Sequence, residues 1–380
     1  MKKNKIIVGI VVLALLVWGG VSLFSSKKED NNKPINLGVI LPLSGSGAEQ
    51  GEWFKRGFDL ALGEININRK QKVNLIYDDS KGDPKNAISI YNSLKLRDSV
   101  PVIFTWGSGV GLALTPLVNK DNVIQMGIAT AAPTYSTLDD FTFRNFPSAN
   151  LEAEFLADAI INKLKVKRIA IMKINNDYGI SSAKSFRENY EHKGGNIIGE
   201  EIFESNATDL RTQLIKIKGF SPEYIYIATY PKEGGLILRQ AKELGIKSKF
   251  IAPVAILGGK DFFNAAGESA EGLILANSIP IFNEGKDEQT KLFAENYRNK
   301  YGEELGVQQL YGARSYDSLK IINRVMDICG TNTECLKNEL FKIKNYNGIS
   351  GNITFDRNGD IESSFNLQVI KNGQFVKLEE

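Results

Sequence analysis

Histidine is almost absent from this 380-residue chain, where His192 stands alone. Cysteine is scarce as well, with only Cys329 and Cys335. These two shortages exclude most metal sites built from imidazole and thiolate, and most catalysis that needs a histidine base. No G-K-[ST] follows a glycine loop, so the chain has no Walker phosphate loop. An excess of one charge is lacking too. The formal net charge of +3 comes from residues 1–33, which hold six lysines and two acids and leave 41 basic and 42 acidic residues in the rest. That balance gives no footprint for nucleic acid or an anionic partner. There is no repeat of solenoid period.

One long apolar run is present. Residues 6–24 carry no charge, follow the basic start "MKKNK", and lead into the polar tether "SSKKEDNNK". At 1.5 Å per residue such a run is just long enough for a hydrocarbon core of ~30 Å. Two readings stand. An uncleaved anchor is favoured by the length; a cleaved signal would use the weak small-x-small site at Gly20 and Ser22. Either exports the remainder, because the first lysines stay on the cytoplasmic side. Export bears on "CGTNTEC". A disulfide between Cys329 and Cys335 suits an oxidising compartment, while two thiols at a helix end is the plainer alternative.

From residue 35 onward, strand and helix patterns alternate. "INLGVIL" reads as a buried strand, and a helical pattern follows through Phe54, Phe58, Ala61, Leu62 and Ile65. "DPKNAISIYNSLKL" is a helix opened by Asp83 with Pro84 in its first turn. "KRIAIMKI" begins a second such series. Alternation at this spacing predicts α/β architecture with parallel sheets and right-handed crossovers, and two series predict two doubly wound lobes. Ligands of such folds sit beyond the carboxyl ends of the strands. The loops to watch are therefore 43–50, 78–82, 106–111, 128–134, 174–179, 230–234 and 252–257.

The first loop, "LSGSGAEQG", spaces its glycines as Gly45-x-Gly47-x-x-x-Gly51, which is not a dinucleotide fingerprint, and Glu49 stands where a pyrophosphate would approach. Its amides suit a carboxylate or a neutral polar group, unless the loop is simply a tight turn. Asp78 and Asp79 are adjacent and point apart, as in a turn or cation site rather than an acid–base pair. Ser182 and Lys184 read as a solvated helix face. No nucleophile–base pair is visible, so an enzyme is not expected, and no cofactor or metal is implied.

The stretch "INLGVILPLSGSGAEQGEWFKRGFDLALGEIN" resembles the start of type I periplasmic solute-binding proteins of the leucine/isoleucine/valine-binding group. The likeness continues through "YDDSKGDPKNAI", "RIAIMKINNDYG", "YIYIATYPKEGGLILRQAKELG", "AEGLILAN", "YGARSYDSL" and "GISGNITFDRNGDI". It implies two doubly wound lobes joined by three crossovers, near Pro147, Asn277 and Gly348, behind an N-terminal hydrophobic anchor. The expected division is 1–33 anchor and tether, 34–147 with 277–347 as lobe one, and 148–276 with 348–380 as lobe two, whose last strands would be "NITF" and "FNLQVIKNGQF".

By this resemblance Ser108, beside Gly107, falls where the family's serine holds a ligand α-carboxylate; a helix N-cap is its plain alternative. Ala129, Thr130 and Ala131 lie in the loop that holds the α-carboxylate and α-amino group, with Ala131 at the family's threonine unless the alignment shifts by one to Thr130. Tyr178 and Tyr230 fall at aromatics that close from lobe two, or are ordinary sheet-edge aromatics. Gln50 replaces an aromatic of the first loop. Val254 stands where the family has an acid for the ligand ammonium. Glu49 or Glu233 would then substitute, or the ligand lacks an amino group. Trp53 and Trp106 could line the cleft, and a place in the core is the plainer alternative. The implied function is an extracytoplasmic receptor, tethered to the cell membrane, that closes on a branched-chain amino acid or a related small carboxylate or amide. It would deliver this solute to an ABC permease. The alternative is a sensor of the same fold reporting to a signalling partner.

Overall fold

The computed structural model describes residues 33–278, 288–306 and 308–378. The apolar run and nearly all of its tether lie outside the described residues, and among the described residues no helix is long and apolar enough to cross a membrane.

Five parallel strands form the first sheet, in the order β2-β1-β3-β4-β5: β1 (Ile35–Leu41), β2 (Val73–Asp79), β3 (Val102–Thr105), β4 (Ile124–Gly127) and β5 (Thr142–Arg144). Buried on both faces, β1 and β3 read as continuous apolar runs because helices cover the sheet on each side. The covering helices are α1 (Ala48–Asn68), α2 (Pro84–Asp98) and α3 (Ser108–Asp121). The Asp83 carboxylate caps α2 by accepting the Asn86 N–H at 2.8 Å, with Pro84 in the first turn. The register pairs Leu41 with Asp79, Ile40 with Thr105, and Thr105 with Gly127. Four strand ends therefore open their loops at one edge.

A second sheet has seven strands in the order β14-β13-β10-β9-β8-β6-β7. Its parallel part is β6 (Arg168–Ile174), β7 (Asn196–Phe203), β8 (Tyr224–Ala228), β9 (Lys249–Ala252) and β10 (Ile274–Asn277). The helices that accompany it are α4 (Ala149–Asn162), α5 (Asp177–His192), α6 (Arg211–Gly219), α7 (Pro231–Glu243) and α8 (Lys260–Ala266). The tail adds an antiparallel edge, β13 (Asn366–Lys371) and β14 (Gln374–Lys377). The "NITF" segment does not join this sheet: β11 (Tyr346–Gly348) and β12 (Gly351–Ile353) pair only with each other.

Between β10 and this hairpin, α9 (Glu288–Tyr301), α10 (Gln308–Cys329) and α11 (Thr333–Phe341) return to the first sheet. Helix α10 lies against α1 so closely that a Cβ on Gly57 would sit 2.0 Å from the Gly312 carbonyl oxygen. Cys329 and Cys335 are disulfide-bonded, with Cα atoms 5.6 Å apart.

Residues 346–361 also stay with the first sheet. Arg144 of β5 makes a two-pronged ion pair with Asp360, at 2.7 Å from Nε and 2.6 Å from Nη2. Asp317 of α10 accepts N–H bonds from Ile349 at 3.0 Å and Ser350 at 2.7 Å. The last passage to the second sheet therefore runs through residues 362–365, later than the crossover expected near Gly348, because the Arg144–Asp360 ion pair and the N–H bonds to buried Asp317 hold the hairpin back.

Candidate ligand-binding cleft

On the first sheet's side, the cleft wall is the start of α3. Gly107 takes a left-handed φ of +88°, which a glycine adopts without strain, and occupies the N-cap position. Ser108 is thus the first residue of the helix rather than its cap. Its buried Oγ accepts the N–H groups of Ala131 at 3.3 Å and Ala132 at 3.2 Å, and the hydroxyl keeps its own proton to donate. The Thr130 hydroxyl donates to the Gly107 carbonyl at 3.4 Å. Arg144 reaches the carbonyls of Thr130 at 3.3 Å and Ala132 at 2.8 Å, and the Ala149 N–H, at the start of α4, reaches that of Ala131 at 2.8 Å. Gly107, Ser108, Thr130 and Ala131 are therefore one bonded unit, with half-buried Ala129 packed beside the core.

From the second sheet come Tyr178, at the start of α5, and Tyr230, just ahead of α7. Their rings stack with centroids 5.2 Å apart. Tyr230 also meets Trp106 of the first lobe at 5.5 Å. Trp106 is therefore buried, as expected, but it is buried across the cleft. Trp106 and Tyr230 also line a cavity of about 300 Å3, together with Gly47, Lys81, Gly107, Asp177 and Glu233 among others. Among the described residues, Trp106 Nε1, Tyr178 Oη and Glu233 Oε2 are buried with no hydrogen-bond partner.

Gln50 is brought elsewhere. It is buried and donates Nε2 to the Tyr311 hydroxyl at 2.9 Å, which donates to the Leu257 carbonyl at 2.9 Å across the lobes. Glu49 also spans the lobes: its carboxylate accepts the Lys260 N–H at 2.8 Å and the Asp261 N–H at 3.4 Å, at the start of α8. Trp53 stacks on Tyr311 at 5.6 Å. Asp79 fastens the first two loops by accepting the N–H groups of Leu43 at 2.8 Å and Lys81 at 2.9 Å, together with the Ser44 hydroxyl. Burial alone would raise its pKa, but these donors hold it below the ordinary carboxylate value.

Sequence reasoning missed two charged groups behind this wall. Glu152 of α4 is 3% exposed, and its Oε1 accepts the Val254 N–H at 2.5 Å. Burial pushes its pKa up to about 7, against the opposing pull of that N–H and of Arg314. Arg314 of α10 is also buried, and burial lowers its pKa to about 10. It donates to the Asn145 carbonyl at 2.9 Å and to the Ser278 hydroxyl at 2.8 Å, so one guanidinium holds two of the passages between the sheets. The signal for Glu152 was an acid placed at helical spacing among the apolar residues Ala149, Ala153 and Leu156.

A periplasmic binding protein family model matches residues 34–374. The leucine-, isoleucine-, valine-, threonine- and alanine-binding protein of Pseudomonas aeruginosa is 24% identical over 335 residues, 87% of each chain. Among solved structures, a leucine-binding protein of Thermotoga maritima is 25% identical, with a TM-score of 0.83 over 91% of this chain and 98% of that one. The branched-chain amino acid transporter substrate-binding protein of Streptococcus pneumoniae, in complex with isoleucine, is 25% identical, with a TM-score of 0.80 over 91% of this chain and all of that one. The two sheets, the cleft at their carboxyl edges and these matches agree: this chain belongs to the periplasmic binding protein family, and the relatives it matches are solute-binding proteins rather than enzymes.

Proposed function

We propose that the chain is the extracytoplasmic receptor of an ABC uptake system and that its lobes close on an α-amino acid of the branched-chain type. The observation that carries this is the bonded unit around Ser108. Its hydroxyl proton and the helix start would serve an acceptor oxygen of the ligand, and the Tyr178–Tyr230 pair of the other lobe would supply the facing wall. Gly107, Ala129, Thr130 and Ala131 would shape the carboxylate end, while Gln50 serves the contact between lobes rather than the ligand. Closure follows if the ligand adds contacts that exist only when both walls meet it. A thermal-shift screen of amino acids, amides and small carboxylates tests the solute class. A ligand at 100 times its Kd adds ~2.7 kcal/mol of stability. No shift with any amino acid would remove the reading.

The same proposal keeps the chain at the membrane through residues 6–24. The mature protein should then begin at or near Met1 and sediment with membranes. A mature N-terminus at Leu23 or later, in a soluble fraction, would contradict the tether.

A further inference from the structure

Val254 leaves the cleft without an acid where relatives of this kind are expected to carry one. The structure puts a carboxylate back at that spot by another route. Val254 opens a short 3-10 turn, Val254–Ile256, and its N–H points at Oε1 of Glu152. Helix α4 delivers this side chain from the loop that forms the Ser108 unit, since the Ala149 N–H is bonded to the Ala131 carbonyl and Glu152 lies one turn further on. Tyr178 of α5, Tyr226 of β8, and Tyr311 and Arg314 of α10 face it electrostatically.

Glu152 is therefore both buried and underserved. Among the described residues, the Val254 N–H is its one hydrogen-bond donor. Arg314, the nearby cation, gives Nη1 to Asn145 and Nη2 to Ser278, and among the described residues its buried Nε has no partner. A buried carboxylate with one donor is costly in its ionised form unless a cation joins it. Glu49 is committed to the start of α8. Glu233 is buried like Glu152, with the Asn206 N–H at 3.1 Å on Oε1 and no partner on Oε2 among the described residues, and it lines the cavity of about 300 Å3, so it is the rival site.

We propose that Glu152 is the ammonium-binding residue of the cleft, supplying from helix α4 the negative charge that position 254 lacks. This rests on the reading of the cleft as an amino-acid site. It makes Glu152 the residue that separates α-amino acids from the matching plain carboxylates.

The test is calorimetric titration of the full-length protein, in mild detergent, with two probes: L-leucine and 4-methylpentanoate, which keeps leucine's carboxylate and branched chain but has no ammonium. For the wild type, leucine should bind more tightly than 4-methylpentanoate. Glu152→Gln should weaken leucine at least 10-fold and leave 4-methylpentanoate unchanged or tighter. A pH series reads what a purely structural role would not move. Leucine keeps its ammonium from pH 6 to 8, and the three tyrosines, raised by burial, stay neutral there. Protons then compete with leucine for Glu152, so wild-type affinity should rise about 10-fold from pH 6 to pH 8, while Glu152→Gln should show no such rise. Equal leucine affinity in wild type and Glu152→Gln, or the same pH slope in both, overturns the proposal while leaving the amino-acid site intact. Loss of the effect in Glu233→Gln instead overturns it by moving the ammonium site to Glu233. Should the wild type bind neither probe nor any other amino acid, the reading of the cleft falls first and the proposal with it.

Discussion

Ser108 carries the most consequence per atom. Its oxygen gathers the amides of Ala131 and Ala132 at 3.2–3.3 Å, the long end of the ordinary range, and its proton is left to donate. A ligand carboxylate would accept that proton, and such a bond to a charged group contributes about 1.5–3 kcal/mol. Ser108→Ala should therefore weaken amino-acid binding roughly 10- to 150-fold. It should also cost about 1–3 kcal/mol of stability, because two buried amides lose their acceptor. Calorimetry and urea denaturation read the two effects separately. Wild-type affinity in the mutant would move the ligand carboxylate elsewhere. The serine was visible in the sequence because it follows an apolar strand and a glycine. The role of its oxygen was not, because the amides it gathers lie more than twenty residues away.

Among the elements, the pair α1 and α10 fixes how the first lobe meets the second. Gly57 lets the helices touch, and this contact places Tyr311 where it links Gln50 to the Leu257 carbonyl. A Cβ at residue 57 would meet both the Gly312 carbonyl at 2.0 Å and the Ser315 hydroxyl at 2.3 Å. Backbone cannot move aside as a side-chain end can, so Gly57→Ala should lower the unfolding free energy by about 1–3 kcal/mol or more. An unchanged denaturation midpoint would show that α10 is not held this tightly. The strand–helix alternation was legible because each element carries its own period and cap, as at Asp83 and Pro84. The hairpin 346–353 and the cleft contacts of α10 were not. They depend on Arg144–Asp360 and on Asp317 with Ser350, pairs that link positions distant in sequence and have no local signature.

At the scale of the whole molecule, the lobes are tied at the cleft by Trp106 on Tyr230, by Glu49 on the start of α8, and by Tyr311 on Leu257. Aromatic pairs of this kind contribute about 0.5–1.5 kcal/mol each beyond their buried area, so a few contacts favour closure without making it irreversible. A ligand that touches both Ser108 and Glu152 would add to them. Arg314, bonded to Asn145 and Ser278, links two of the passages between the sheets. The most direct measurement is a calorimetric titration of the full-length protein with L-leucine, L-isoleucine and L-valine at pH 8. The account predicts saturable binding at one site per chain for at least one of the three. The absence of binding heat for all three at millimolar concentration would contradict it.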